Sequence, residues 1–269
     1  MRNGFSSREP NHMEIKRESI SFKVKRITIK GEIFTPGSYG NPNLPALILC
    51  HGIPRGNSDP QDPGYPGLAE RICAEGFIVM IFNFRGTGES EGNFDILGWA
   101  EDLKAAVDYL WQHTGINREH LSVMGFSGGA AVAIYTAAQD QRISFIISCA
   151  SPASFEFLGN EGMATDFINE FRRIGIIRDS EFPPSLDQWR RGFKEIAPRR
   201  WVASISPRPI LIIHGSQDSV IDVADAHVLY QLAREPKEIR IIEGAEHRLR
   251  IDNRVIESAL KWFTSIKIQ

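Results

Sequence analysis

The sequence predicts an α/β fold, a mostly parallel β-sheet with helices on both faces. Three observations carry that prediction. Short continuous apolar runs recur along the chain: ALILC, FIVMIFNF, LSVMGF, ISFIISCA, PILIIHG and EIRIIEG. Such runs are the pattern of strands buried on both faces. Segments with helical spacing separate most of them, and that alternation implies βαβ units. Finally, 269 residues with 42% hydrophobic and 24% charged composition suit a globular chain with a sizeable core.

The elements follow in order. SISFKVKRITIKGEIF alternates apolar and polar residues and reads as two antiparallel strands. PGSYGNPNLP is a turn-rich connection. ALILC and FIVMIFNF are the first buried strands. DILGWAEDLKAAVDYLWQ is helical, with Leu97, Ala100, Leu103, Ala106, Val107 and Leu110 at helical spacing. The strand LSVMGF leads into AAVAIYTAAQ, a helix rich in small residues. ISFIISCA, PILIIHG and EIRIIEG are further strands, and NRVIESALKWFTSI closes the chain as an amphipathic helix. Right-handed crossovers place the helices on both faces of the sheet.

The alternation breaks between about Ser151 and Pro207. Two helical patterns, MATDFINEFRRIG and SLDQWRRGFKEI, flank Pro183-Pro184 there. A simple crossover uses loops of about 2–6 residues on each side of its helix. This segment is longer and reads as a crossover helix plus an inserted cap. The expected organisation is a polar extension over 1–18, a core over 19–152 and 208–269, and the cap region over 153–207. Phe167, Ile168, Phe171 and Ile174 share one helical face, expected to cover the reactive site. The arginine pairs Arg172-Arg173, Arg190-Arg191 and Arg199-Arg200 read as solvated faces.

Composition excludes several classes. A formal charge of -2 argues against nucleic acid as the main partner. No apolar run approaches the roughly 18 residues of a membrane span. The N-terminal stretch MRNGFSSREPNHMEIKRES is polar and lacks the apolar centre of a signal peptide. Cys50, Cys73 and Cys149 cannot all pair within the chain. Cys50 and Cys149 lie in apolar runs and read as buried thiols. A reducing, cytoplasmic setting is therefore expected.

Two segments spell G-x-S-x-G: Gly88 to Gly92 around Ser90, and Gly125 to Gly129 around Ser127. A nucleophile elbow needs a strand, a sharp turn carrying the serine, and an immediate helix start. The helix start supplies unpaired N–H groups where negative charge develops. Ser127 meets each condition, between LSVMGF and GAAVAIYTAA. Ser90 does not. Arg85 to Gly88 separate it from its strand, and no helix follows at once. Glu89 and Glu91 beside it would raise the energy of an oxyanion. Ser90 is expected to sit in a loop and cap the next helix.

A serine nucleophile needs a base oriented by a third group. Asp218 lies in the loop after PILIIHG, and His247 in the loop after EIRIIEG. Strand ends of this kind are where open α/β sheets build sites. Asp222 competes with Asp218 for the acid. Of the seven histidines, His12, His113 and His120 lie in polar stretches, His227 falls in a helical pattern, and His51 and His214 end strands before glycine. The Gly128 N–H is one expected oxyanion donor. The loop His51-Gly52-Ile53-Pro54 offers the Ile53 N–H as the second, since Pro54 has none. His51 is expected to tie that loop down by hydrogen bonds.

With these residues in this order, the chain resembles the α/β-hydrolase superfamily over roughly residues 20 to 266. The residues that carry the resemblance are His51-Gly52, FNFRGTGESEG, GFSGG, HGSQD with Asp218, and GAEH with His247. Many relatives have Asp where this chain has Asn83. The HGGPG-type and HGGG loops of other branches are absent, and the nucleophile position holds serine rather than cysteine or aspartate. Small bacterial or archaeal esterases, related to feruloyl esterases and acyl-aminoacyl peptidase domains, are the most similar group. The resemblance implies a Ser127-His247-Asp218 triad that cleaves a short or medium acyl or aryl carboxylic ester through an acyl-enzyme. It implies no metal and no organic cofactor. The same triad suits a peptidase, a thioesterase or an acyltransferase, and a non-catalytic binding protein is the alternative of another class.

Overall fold

The computed structural model describes residues 14–37, 43–56, 62–156 and 161–266. Outside them lie His12 with most of the polar N-terminal stretch, residues 38–42 of the turn-rich connection, and residues 157–160 of the cap region. Eight strands of the described chain form one sheet. They are β1 (Ile15–Val24), β2 (Ile27–Pro36), β3 (Leu44–Cys50), β4 (Ile78–Asn83), β5 (Ile116–Phe126), β6 (Phe145–Cys149), β7 (Ile210–Gly215) and β8 (Lys237–Ile242). The spatial order is β1-β2-β4-β3-β5-β6-β7-β8. β1 pairs antiparallel with β2, and β2 antiparallel with β4; the remaining neighbours are parallel. β1 begins at Ile15, inside the stretch read from sequence as an extension ending at 18.

The helices are α1 (Gly64–Ala74), α2 (Ile96–Trp111), α3 (Gly128–Gln139), α4 (Glu161–Arg173), α5 (Leu186–Ile196), α6 (Val223–Leu232) and α7 (Asn253–Ile266). Successive side chains of a strand point to opposite faces, and the core divides accordingly. On β3, Ala46, Ile48 and Cys50 join the buried residues of α2, α3 and α6. Leu47 and Leu49 join those of α1 and α7 on the other face. All three cysteines are free and buried. No helix of the described residues is long and apolar enough to cross a membrane.

Helix starts follow the side chains that cap them. Asp95 accepts from Leu97 N–H at α2, Ser185 from Gln188 N–H at α5, and Asp222 from Ala224 N–H at α6. Asp95, not Ser90, caps α2, which corrects the capping role expected of Ser90. The sequence reading assigns no element to α1. Its first turn holds Gly64, Pro66 and Gly67, weak helix formers, and Pro63 supplies no side-chain cap. Burial of Leu68, Ala69, Ile72 and Cys73 outweighs that local preference.

The topology creates the site. From β3 the chain crosses to β4 on one side, then returns through α2 to β5 on the other. The loops after β3 and β5 therefore diverge and open a crevice at the carboxyl ends of the strands.

Candidate active site

Ser127 stands between β5 and α3 with φ 53° and ψ −123°. A positive φ in a residue with a side chain is strained, and it turns the hydroxyl out of the sheet. Three contacts hold the turn. The Ser127 N–H donates to Cys149 O at 2.9 Å, and its carbonyl accepts from Ala130 and Ala131 N–H. Close packing explains the glycines. A Cβ on Gly125 would lie 2.6 Å from Ala130 Cα, and one on Gly129 would lie 2.7 Å from Cys50 O. A Cβ on Gly52 would lie 3.0 Å from Ser127 Cβ. The loop after β3 thus passes directly against the serine.

Three side chains meet in a line. His247 Nε2 lies 3.0 Å from Ser127 Oγ, and its Nδ1 lies 2.7 Å from Asp218 Oδ2. The carboxylate is fully buried, whereas the imidazole is 17% exposed, so the ring reaches the opening and its partner does not. Asp218 Oδ1 accepts from Val220 and Ile221 N–H, each at 2.9 Å. His214 Nε2 lies 3.2 Å from Oδ2. Burial works to raise the Asp218 carboxyl, but the His214, His247 and backbone donors outweigh it and hold it well below the usual carboxylate range. Asp222, its competitor in the sequence, serves α6 instead.

The loop after β3 faces the same serine. His51 is an acceptor at Nε2, where Phe84 N–H donates at 3.1 Å. Its proton therefore sits on Nδ1, which donates to Gly52 O at 2.8 Å. In a trans peptide the C=O and N–H point in opposite directions. Gripping Gly52 O thus turns the Ile53 N–H away from the His51 ring. The Ile53 nitrogen lies 3.7 Å from where a Cβ on Gly128 would stand. Neither the Ile53 nor the Gly128 N–H has a hydrogen-bond partner among the described residues. Burial lowers His51 to about 4, with the Gly52 contact opposing. His51 ties the loop, as the sequence led us to expect.

The fold finds counterparts among known proteins. The family model described as the alpha/beta hydrolase fold matches residues 45–174. The uncharacterized protein YfhR of Salmonella typhimurium is 30% identical over 234 residues, covering 86% of this chain and 74% of that protein. This chain belongs to the α/β-hydrolase fold family. Among solved structures, hypothetical protein PA2218 of Pseudomonas aeruginosa superposes with TM-score 0.72 at 20% identity, covering 98% of this chain and 99% of that one. Est1E of Butyrivibrio proteoclasticus with ferulic acid bound gives TM-score 0.66 at 18% identity, covering 93% and 98%.

Within this α/β-hydrolase fold, Ser90 has a different part from Ser127. It is fully buried. Its Oγ donates to Asn83 O at 2.5 Å and accepts from Lys30 N–H at 2.9 Å, pinning the loop to β2 and β4. Asn83 lies beneath Gly88, where φ is +50° and a Cβ would lie 2.5 Å from Asn83 Cγ. Arg85 and Asp102 form a buried bidentate pair behind the same loop.

The helical face on α4 divides. Ile168 and Phe171 are buried, and the Phe171 ring centroid lies 4.8 Å from that of Phe94. Phe167 and Ile174 stay half-buried. Ile174 Cγ2 lies 3.2 Å from where a Cβ on Gly56 would stand, so the end of α4 touches the loop that carries Ile53. Arg172, Arg173, Arg191, Arg199 and Arg200 are exposed, and Arg190 is half-buried. Sequence reasoning missed Asp62, which pairs with Arg248 and Arg250 beside His247. It also assigned no part to His214; the four-residue spacing from His214 to Asp218 across the end of β7 was the available signal. Among the described residues no group of three or more His, Cys, Asp or Glu side chains is placed to hold a metal ion.

Proposed function

We propose that the protein is a serine esterase that cleaves a short or medium acyl or aryl carboxylic ester through an acyl-enzyme. The observation that carries this reading is the placement of one imidazole, His247, within hydrogen-bond reach of both Ser127 Oγ and Asp218 Oδ2. In the proposed cycle His247 Nε2 takes the Ser127 proton as Oγ attacks the ester carbonyl carbon. The carbonyl oxygen becomes the oxyanion and accepts from the Gly128 and Ile53 N–H groups. His247 then gives its proton to the leaving alkoxide, and the alcohol departs. Water attacks the acyl-enzyme with His247 again as base, and the acid and free serine are released. Asp218 keeps the imidazole in the tautomer that bears a proton on Nδ1.

The aryl arm draws support from the ferulic acid bound to Est1E, and the acyl-chain arm from the half-buried Ile174 beside the Ile53 loop. The test is hydrolysis of a series of p-nitrophenyl esters and methyl hydroxycinnamates, run beside aminoacyl amides and with added alcohols. Ester turnover that disappears in Ser127→Ala supports the reading. Turnover of amides alone, transfer to alcohols in preference to water, or no turnover of any ester would overturn it.

A further inference from the structure

His214 is a buried imidazole that the proposed cycle does not use. It ends β7 with no exposed surface, four residues before Asp218. Its Nε2 faces two oxygens: Ile221 O at 3.0 Å and Asp218 Oδ2 at 3.2 Å. Both are acceptors, so Nε2 must carry the proton. Its Nδ1 is buried without a hydrogen-bond partner among the described residues. A second proton there would be a buried donor without an acceptor. An apolar side chain would fill this space with no orphaned nitrogen, so packing alone does not account for an imidazole here.

We propose that His214 is a positioning residue for Asp218, its Nε2 standing 3.2 Å from Oδ2 and moderating the pull of the carboxylate on the Nδ1 proton of His247. The assignment rests on the esterase reading above. With Oδ1 held by Val220 and Ile221 N–H and Oδ2 flanked by two imidazoles, the carboxylate cannot rotate without losing a donor. The Nε2–H also closes the loop on itself by donating to Ile221 O at 3.0 Å, with Asp218 Oδ2 3.2 Å from the same nitrogen. One consequence separates this role from simple loop support. Without the Nε2–H, Oδ2 holds more charge for His247, its bond to Nδ1–H strengthens, and the protonated imidazole gains. The acid limb of the rate profile then moves to higher pH. Mere loss of loop support would pull Asp218 away from His247 and move the limb to lower pH.

Other groups around the pair are accounted for. Asp222 caps α6, and Asp225 accepts from Ala153 N–H. Glu246 is exposed, and Arg248 pairs with Asp62. Ile241 of β8 is the register partner of His214. Cys149 of β6, next in register beside Ile213, has a thiol that burial holds above its usual range. Ser127 faces His247 from the elbow.

The experiment compares wild type, His214→Leu and His214→Gln, with His214→Met in reserve if the leucine variant fails to fold. Glutamine carries an N–H near the place of Nε2; leucine and methionine do not. Two readouts are taken: kcat and KM against pH on a p-nitrophenyl ester, and the pH titration of the low-field proton resonance of the Asp218–His247 hydrogen bond. The expected result is a lower kcat on the acid side of the profile, where more of His247 is already protonated, with KM little changed. The acid limb and the NMR titration should both move up in pH, and glutamine should restore much of each. A folded leucine or methionine variant with unchanged profiles overturns the proposal. So does a limb that moves down, or a glutamine variant no better than leucine. The NMR titration needs no turnover, so it judges His214 even if no ester is cleaved, an outcome that would sink only the esterase reading.

Discussion

Two serines in this chain spell the same motif, and their surroundings give them opposite prospects. Ser127 is half-buried, strained at φ 53° and hydrogen-bonded to His247. Ser90 has no exposed surface, and its hydroxyl is already committed to Asn83 O and Lys30 N–H. Ser127→Ala is expected to lower kcat by roughly 10⁴- to 10⁶-fold, the scale of losing a triad nucleophile. It should also abolish labelling by a fluorophosphonate. Ser90→Ala should label at the wild-type rate while losing about 1–2 kcal/mol of stability, because the Asn83 carbonyl and the Lys30 N–H, both in part-buried bonds, lose their partner. Gly52 offers a second test. A Cβ there would stand 3.0 Å from Ser127 Cβ and 3.1 Å from Phe126 O. Gly52→Ala should push the Ile53 loop off the elbow and lower kcat about 10²-fold, the scale of one lost oxyanion donor. Unchanged kcat in the folded variant would argue that Ile53 N–H takes no part. At this scale the sequence was informative where a residue follows a strand: Ser127, Asp218 and His247 were picked out that way, and their side chains meet. It was silent where a contact depends on the third dimension. Ser90 was misread as a helix cap because its true partners lie on β2 and β4, 60 and 7 residues away.

The elements show the same division between local signal and tertiary burial. The strands were legible because an apolar run bounded by turns needs no partner to be recognised. α1 was not, because Gly64, Pro66 and Gly67 weaken the local signal that burial of Leu68, Ala69, Ile72 and Cys73 then overrides. On α4 the apolar face was legible, but its split into buried and half-buried residues was not. Phe171 contacts Phe94, Phe167 and Trp189 and is 4% exposed. Phe171→Ala is therefore expected to lower stability by about 3–5 kcal/mol, as large-to-small changes in a core do. Ile174→Ala should lower it far less and instead shift the acyl-chain preference, since Ile174 rests on the Ile53 loop. Denaturant midpoints and an ester series on the two variants separate these effects. A chain-length profile unmoved by Ile174→Ala would show that the end of α4 does not shape specificity.

Across the whole molecule, one carboxylate joins parts that are far apart in sequence. Asp62, just before α1, pairs with Arg248 and Arg250 in the segment after His247, and its side chain is only 6% exposed. The Arg250 contact above all, with the Gly64 N–H and Arg248 assisting against burial, holds the Asp62 carboxyl well below the usual range. Its folded-state value is thus depressed relative to an unfolded carboxyl near ~3.9. A depressed carboxyl contributes stability that is fully present above the unfolded value and is lost as pH falls toward the folded one. Asp218 is depressed in the same sense. His51, lowered to about 4, contributes stability present above an unfolded histidine value near ~6.5 and lost as pH falls between the two. Denaturant midpoints measured against pH should therefore decline in two windows. A shallow decline from roughly 6.5 to 4 belongs to His51, and a steeper one below ~3.9 to the depressed carboxyls, with Asp62 and Asp218 the most strongly lowered among them. Asp62→Asn is expected to be less stable than wild type at pH 7 and to show a flatter dependence below pH 4, with the His51 window unchanged. Parallel curves for the variant and wild type below pH 4 would mean that Asp62 carries no charge-dependent share of the stability. A loss of hydrolysis without a loss of stability at pH 7 would instead place its effect on the His247 loop.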